Sequence, residues 1–102
     1  MGILTRDHRF GVIQKSLDVA SVAANTSAEQ TFTVTGLKVG MFVSVNKPGA
    51  SAGLVVGNAR VSAADTLAVT FGNLTSSAID PAAEDYLVFW LRPEAIDSYV
   101  KA

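Results

Sequence analysis

Apolar and polar residues alternate with a period of two along much of this chain, the spacing that sends successive side chains to opposite faces of a β-strand. Leu17 and Val19 alternate with Ser16 and Asp18. Phe32 and Val34 face one way while Thr31, Thr33 and Thr35 face the other, and Leu67, Val69 and Phe71 alternate with Thr66, Ala68 and Thr70. Two more strands are predicted over Met41–Val45 and Gly53–Val61, the second with a bulge or bend at Gly57 and Asn58. Turn-forming residues separate them at Ala23–Thr26, Gly36–Gly40, Asn46–Gly49 and Ser62–Asp65. Asp80–Glu84 reads as a single capped helical turn, with Asp80 as N-cap and Pro81 at the first helical position.

The run Tyr86–Leu91 breaks the alternation, being apolar on both faces. Such a strand is either central in its sheet or covered on its outer side by a partner. Six or so short strands, with no helix of ordinary length among them, define the fold class as all-β. The expected architecture is an antiparallel β-sandwich, jelly-roll-like or immunoglobulin-like. Residues 16–93 are assigned to that domain. Residues 1–15 show no persistent period and read as an extended N-terminal arm. Its isolated Ile3, Leu4, Phe10, Val12 and Ile13 would either add an edge strand to the domain or order against a neighbouring subunit. Residues 94–102 form a short C-terminal tail that holds Ile96, Tyr99 and Val100.

Composition narrows the class of function. A chain of 102 residues fits one domain. Charged residues make up only 17% against 49% hydrophobic, which hints that partners cover part of the surface. The net charge of −1 lacks the basic footprint of nucleic-acid binders, so no nucleic acid is expected as a partner. No apolar run approaches the ~20 residues of a membrane-spanning helix, so no membrane is expected either. The first ten residues carry Arg6, Asp7, His8 and Arg9 and do not resemble a signal peptide. Cysteine is absent, which excludes disulfides and thiolate metal sites.

Few residues suggest chemistry. The single imidazole, His8, lies in the arm between Asp7 and Arg9, where a catalytic role is not expected. Glu84 and Asp85 are adjacent carboxylates, but neighbours in a strand point to opposite faces and would not share an acid–base site. Asp80, Glu84 and Asp85 could gather around calcium, although their spacing matches no calcium loop. No glycine-rich phosphate cradle is present. Asn25-Thr26-Ser27 and Asn73-Leu74-Thr75 match the glycosylation sequon, a short pattern that arises by chance in Thr-rich chains. We therefore expect no catalytic centre, no cofactor and no metal. The residues expected to bind partners are the large apolar, aromatic and basic ones outside a small core: Ile3, Leu4, Arg6, Arg9, Phe10, Tyr86, Trp90 and Tyr99.

Four blocks, 21–37 (SVAANTSAEQTFTVTGL), 43–48 (VSVNKP), 59–71 (ARVSAADTLAVTF) and 80–84 (DPAAE), together resemble small β-domain structural proteins of tailed bacteriophages. The resemblance spans about residues 16–93. It implies a capsid decoration or cement protein that binds and stabilises the lattice of the major capsid protein, commonly as a homotrimer. It also implies a place on the capsid exterior of the virion after synthesis in the host cytoplasm. The alternative, from another class, is a carbohydrate- or receptor-binding module of a phage tail or fibre, with Trp90, Tyr86 and Tyr99 as its aromatic contacts.

Overall fold

The computed structural model describes residues 9–92. Six strands follow one another: β1 (Phe10–Leu17), β2 (Ser27–Thr33), β3 (Phe42–Asn46), β4 (Leu54–Ala63), β5 (Thr66–Asn73) and β6 (Glu84–Leu91). They form two antiparallel three-stranded sheets, ordered β1-β6-β3 and β2-β5-β4. Every pairing except β4-β5 joins strands that are distant in sequence, so β6 closes back on β1 and β5 on β2. β3 of one sheet lies beside β4 of the other. The described residues contain no helix.

One apolar cluster draws on both sheets. Leu17, Val43, Tyr86 and Val88 come from the first, and Val61, Leu67, Val69 and Phe71 from the second. Val19, Val22, Val34 and Leu37 close it from the connecting segments. Full burial of a side chain such as Leu67 or Phe71 contributes about 1.5–3 kcal/mol. The inward residues Phe32, Leu67 and Val61 stand opposite one another across three strands, as do Ala28, Phe71 and Val56. Between Val56 and Ala59 the register slips by one residue, the bulge that Gly57 and Asn58 predict.

The turns carry their own bonds. Asp65, at the tip between β4 and β5, adopts a positive φ of 58°. Its N–H donates to the Leu37 carbonyl (2.8 Å) and its carbonyl accepts from the Val34 N–H (2.9 Å). Its carboxylate accepts from the Gly36 N–H at 2.7 Å. Asn73 is the buried amide: its Nδ2 donates to the Val22 and Ser77 carbonyls, and its Oδ1 accepts from the Thr75 N–H and hydroxyl. All four bonding positions of this side chain are used, which offsets its burial.

Three expectations require correction. Residues 10–15, assigned to the arm, take the edge-strand alternative: they belong to β1 and pair with Leu91–Tyr86 in unbroken register, so the domain begins six residues before Ser16. On their outward side Phe10 and Val12 are apolar, which hides the alternation. Asp80–Ala83 form no helical turn but a short irregular link into β6, directly after the bridge that ties Ile79 to Val22. β2 begins at Ser27, four residues before the clear Thr/Phe alternation. There the inward Gln30 stands in for an apolar side chain, and its amide grips both backbone groups of Ala20 (2.8 and 3.0 Å). The remaining arm residues, 1–8, and the tail, 94–102, lie outside the described residues.

Candidate interaction surface

The double-sided apolarity of Tyr86–Leu91 is explained first by position: β6 is the central strand of its sheet, flanked by β1 and β3. Parity then divides its residues. Tyr86 and Val88 point inward and are fully buried, with Trp90 half-buried on the same side. Leu87, Phe89 and Leu91 point the other way, onto the outer face.

Pairing registers extend that outer face into three rows. Phe10, Leu91 and Phe42 stand side by side across the three strands, then Val12, Phe89 and Ser44, then Gln14, Leu87 and Asn46. The apolar side chains crowd toward the Leu91 end. Phe10 and Phe42 are each 55% exposed, Val12 61% and Leu87 41%. Phe89 sits between the two flanking rings, with centroids 6.4 Å from Phe10 and 6.3 Å from Phe42, the latter nearly edge-on. These distances lie within the range of favourable aromatic pairs. The opposite end of the face is polar, where Gln14 Nε2 donates to Asp85 Oδ2 at 3.2 Å. The result is a shallow aromatic platform running out into a polar rim, the anatomy of a protein-binding patch.

The residues expected to bind partners fall into three groups. Phe10 is exposed on the platform, and Arg9 lies exposed just before it, its carbonyl accepting from the Arg92 N–H at 2.9 Å. Tyr86 is corrected: it has no exposed surface and is a core residue. Burial, and secondarily the Glu84 carboxylate, push its phenol up to about 12. Its hydroxyl has no hydrogen-bond partner among the described residues. Trp90 also faces inward, so it does not join the platform. Its indole lies against Gly11, where an added Cβ would come within 2.9 Å of the ring. With Ile13, Leu37, Met41, Lys38 and Arg92 it lines a groove of about 480 Å³ at the Leu91 end. Ile3, Leu4, Arg6 and Tyr99 lie outside the described residues.

Val12, Phe42, Leu87, Phe89 and Leu91 are the platform residues that the sequence did not single out. Their signal was present in Tyr86–Leu91, since one parity of a central strand must face outward. Which parity depends on register, and a slip of one residue exchanges the faces.

The carboxylates do not converge. Glu84 Oε2 pairs with Lys47 Nζ at 2.8 Å, and the same ammonium donates to the Gly49 carbonyl and the Ser51 hydroxyl. Asp85 sits on the opposite face with Gln14. Among the described residues no three acidic or imidazole side chains could hold a metal ion together. The chain matches no protein-family model, no curated protein and no solved structure.

Proposed function

We propose that this protein is a binding component of a tailed-phage virion, a decoration or cement protein that holds neighbouring major capsid subunits together. The observation that carries the reading is the aromatic platform of Phe10, Phe42 and Phe89, which the chain's own core leaves uncovered. The four sequence blocks that resemble virion β-domain proteins supply the partner. The two sheets are read as the layers of a sandwich, and the pairing of β1 with β6 and β2 with β5 favours jelly-roll-like winding over an immunoglobulin-like one. Two such layers make a stiff body that can carry a fixed contact face to a repeating lattice.

Function of this kind is binding alone. Rows two residues apart and strands side by side give the three rows together a span of roughly 14 by 10 Å, of which the two apolar rows take about half. A standard interface buries about 800 Å² on each partner, so one platform is a single contact among several. Terminal segments reaching neighbouring subunits would add to it, and a trimer would repeat it three times. Many weak contacts on one lattice then sum through multivalency.

The test is cosedimentation with shells preassembled from the major capsid protein encoded with this chain. Saturable binding at a fixed copy number per lattice unit is expected, and Phe42→Ser should weaken it at least tenfold, as loss of an aromatic anchor does. A protein that stays in the supernatant at micromolar shell, yet is retained on a glycan surface, would sink the capsid reading in favour of a carbohydrate-binding module.

A further inference from the structure

We propose that the edge of β3 accepts an extended, uncharged segment of a partner protein, which adds to the first sheet as a fourth strand. β3 ends the sheet β1-β6-β3, and β4 ends the sheet β2-β5-β4. The two lie beside each other, yet among the described residues no backbone hydrogen bond joins them. Between them runs a cleft of about 510 Å³, lined by residues 41–45 and 56–60. A strand edge presents a row of backbone N–H and C=O groups, a template on which another chain can pair.

The four edge strands differ in how that template is guarded. β1 places Lys15 at an inward position, in register with the buried Tyr86, and an inward charge on an edge opposes pairing. β2 is engaged through Gln30, whose side-chain amide bonds both backbone groups of Ala20. β4 is bowed at Gly57 and Asn58, which together stand opposite Thr70 alone. β3 has none of these devices. Phe42–Asn46 holds no charge, proline, glycine or bulge, and it pairs with β6 in unbroken register. Lys47 follows directly, but its ammonium is bound to Glu84, Gly49 and Ser51.

Alternation along a strand sets the chemistry of the occupant. Residues of one parity would lie beside Val43 and Val45, with the half-buried Val56 and Ala59 across the cleft. Those of the other parity would extend the outer face beside Phe42, Ser44 and Asn46. Among the described residues the one charged side chain lining the cleft is Arg60, and its guanidinium is bound to Glu29. The fitting segment is therefore uncharged and apolar on its inward parity, with an apolar or aromatic residue next to Phe42. A second copy of β3 meets this poorly. Antiparallel pairing about Ser44 sets Phe42 opposite Asn46 at both ends. Matching Phe42 with itself instead leaves the rest of each strand beside the other's turn at Lys38–Met41. The inference concerns the edge of β3 and stands whether or not a capsid shell is the partner.

The experiment is amide hydrogen exchange, read by NMR on the full chain, with a synthetic probe. The probe is a short capped peptide alternating valine and threonine, N-methylated along one edge so that it pairs only once. In the free protein, the β3 amides that face away from β6 should exchange fast. Peptide at about ten times its Kd should slow them about tenfold and shift the resonances of residues 42–46 and 56–60. Val45→Lys, which copies the inward charge of β1, should abolish both changes, with slow exchange across the β1-β6 ladder as the check that it folds. If it does not fold, the titration of the parent chain decides alone. No protection of β3 by millimolar peptide would overturn the proposal, as would protection confined to β1, β2 or β4. So would slow exchange at those β3 amides in the free protein, since the edge would already be occupied, or β3-to-β3 contacts between differently labelled chains. A protein that takes up the peptide at β3 but ignores capsid shells keeps the edge site and loses the capsid reading.

Discussion

The two sheets have the same number of strands and the same antiparallel pairing, yet their outer faces are finished in opposite ways. The outer face of β2-β5-β4 carries Glu29, Thr31, Thr33, Thr66, Thr70 and Arg60. Arg60 crosses β5 to grip Glu29 with two nitrogens, at 2.8 and 2.9 Å, and the outward-facing Ala68 in the same row is fully buried. The guanidinium holds the Glu29 carboxyl below its ordinary range, chiefly by hydrogen bonding. On β1-β6-β3 the corresponding central positions are Leu87, Phe89 and Leu91, and their neighbours Phe10 and Phe42 are half open to solvent. A small central residue can be roofed by one ion pair of its own chain. A ring flanked by two other rings cannot, so that face stays partly open to solvent.

The largest effect that sharpens this contrast comes from pairing an inward with an outward truncation. Leu67→Ala, inside the polar-faced sheet, is expected to lower unfolding free energy by about 2–5 kcal/mol through lost burial and a residual cavity. Phe42→Ser, on the aromatic platform, should change it by less than about 1 kcal/mol. Denaturant titrations of both variants measure this directly. Equal losses would mean that the platform is part of the core and that the contrast between the faces is false.

Next in size is a pH effect on the inward side of β6. The Tyr86 phenol is raised to about 12 from a value of 10.0 in the unfolded chain. The unfolded state therefore releases its proton first as pH rises. Stability is intact below pH 10 and falls between pH 10 and 12, by about 2–3 kcal/mol at about 1.4 kcal/mol per unit. Tyr86→Phe should remove this decline and leave neutral-pH stability equal or higher, because it deletes a buried hydroxyl that has no partner among the described residues. A stability–pH curve for Tyr86→Phe that follows the parent through the alkaline range would show that Tyr86 lies in open solvent.

The smallest effect belongs to the polar face. Glu29→Gln removes an exposed ion pair, which solvent already screens. Thermal unfolding at low and high salt should differ little between this variant and the parent. A clear salt-sensitive loss would mean that the bridge over Ala68 does more for the second sheet than cover it.

The strand pattern was legible wherever one face is polar. Thr31–Val34 and Thr66–Phe71 mark their strands because threonines fill the solvent side, and the bulge at Gly57-Asn58 follows from glycine within a strand. β1 was hidden because Phe10 and Val12 on its outer side are as apolar as Ile13 on its inner side, so no alternation shows. The first half of β2 was hidden by Gln30, whose inward side chain is polar because it bonds the backbone of Ala20. For the platform, the aromatic residues were visible but their assignment was inverted. Tyr86 and Trp90 drew attention as large aromatic anchors, and both face inward, while the plainer Phe89 and Phe42 face out.

The amino-acid sequence by itself determined an all-β chain of short strands and an apolar surplus around Tyr86–Leu91, since period-two alternation and turn chemistry are local properties. Only the tertiary structure decided that β6 is central, that β1 closes its sheet, and which parity of β6 looks outward. Those outcomes depend on pairing between residues some 70 positions apart in the chain. Shifting that register by one residue would exchange core and surface without altering a single local propensity.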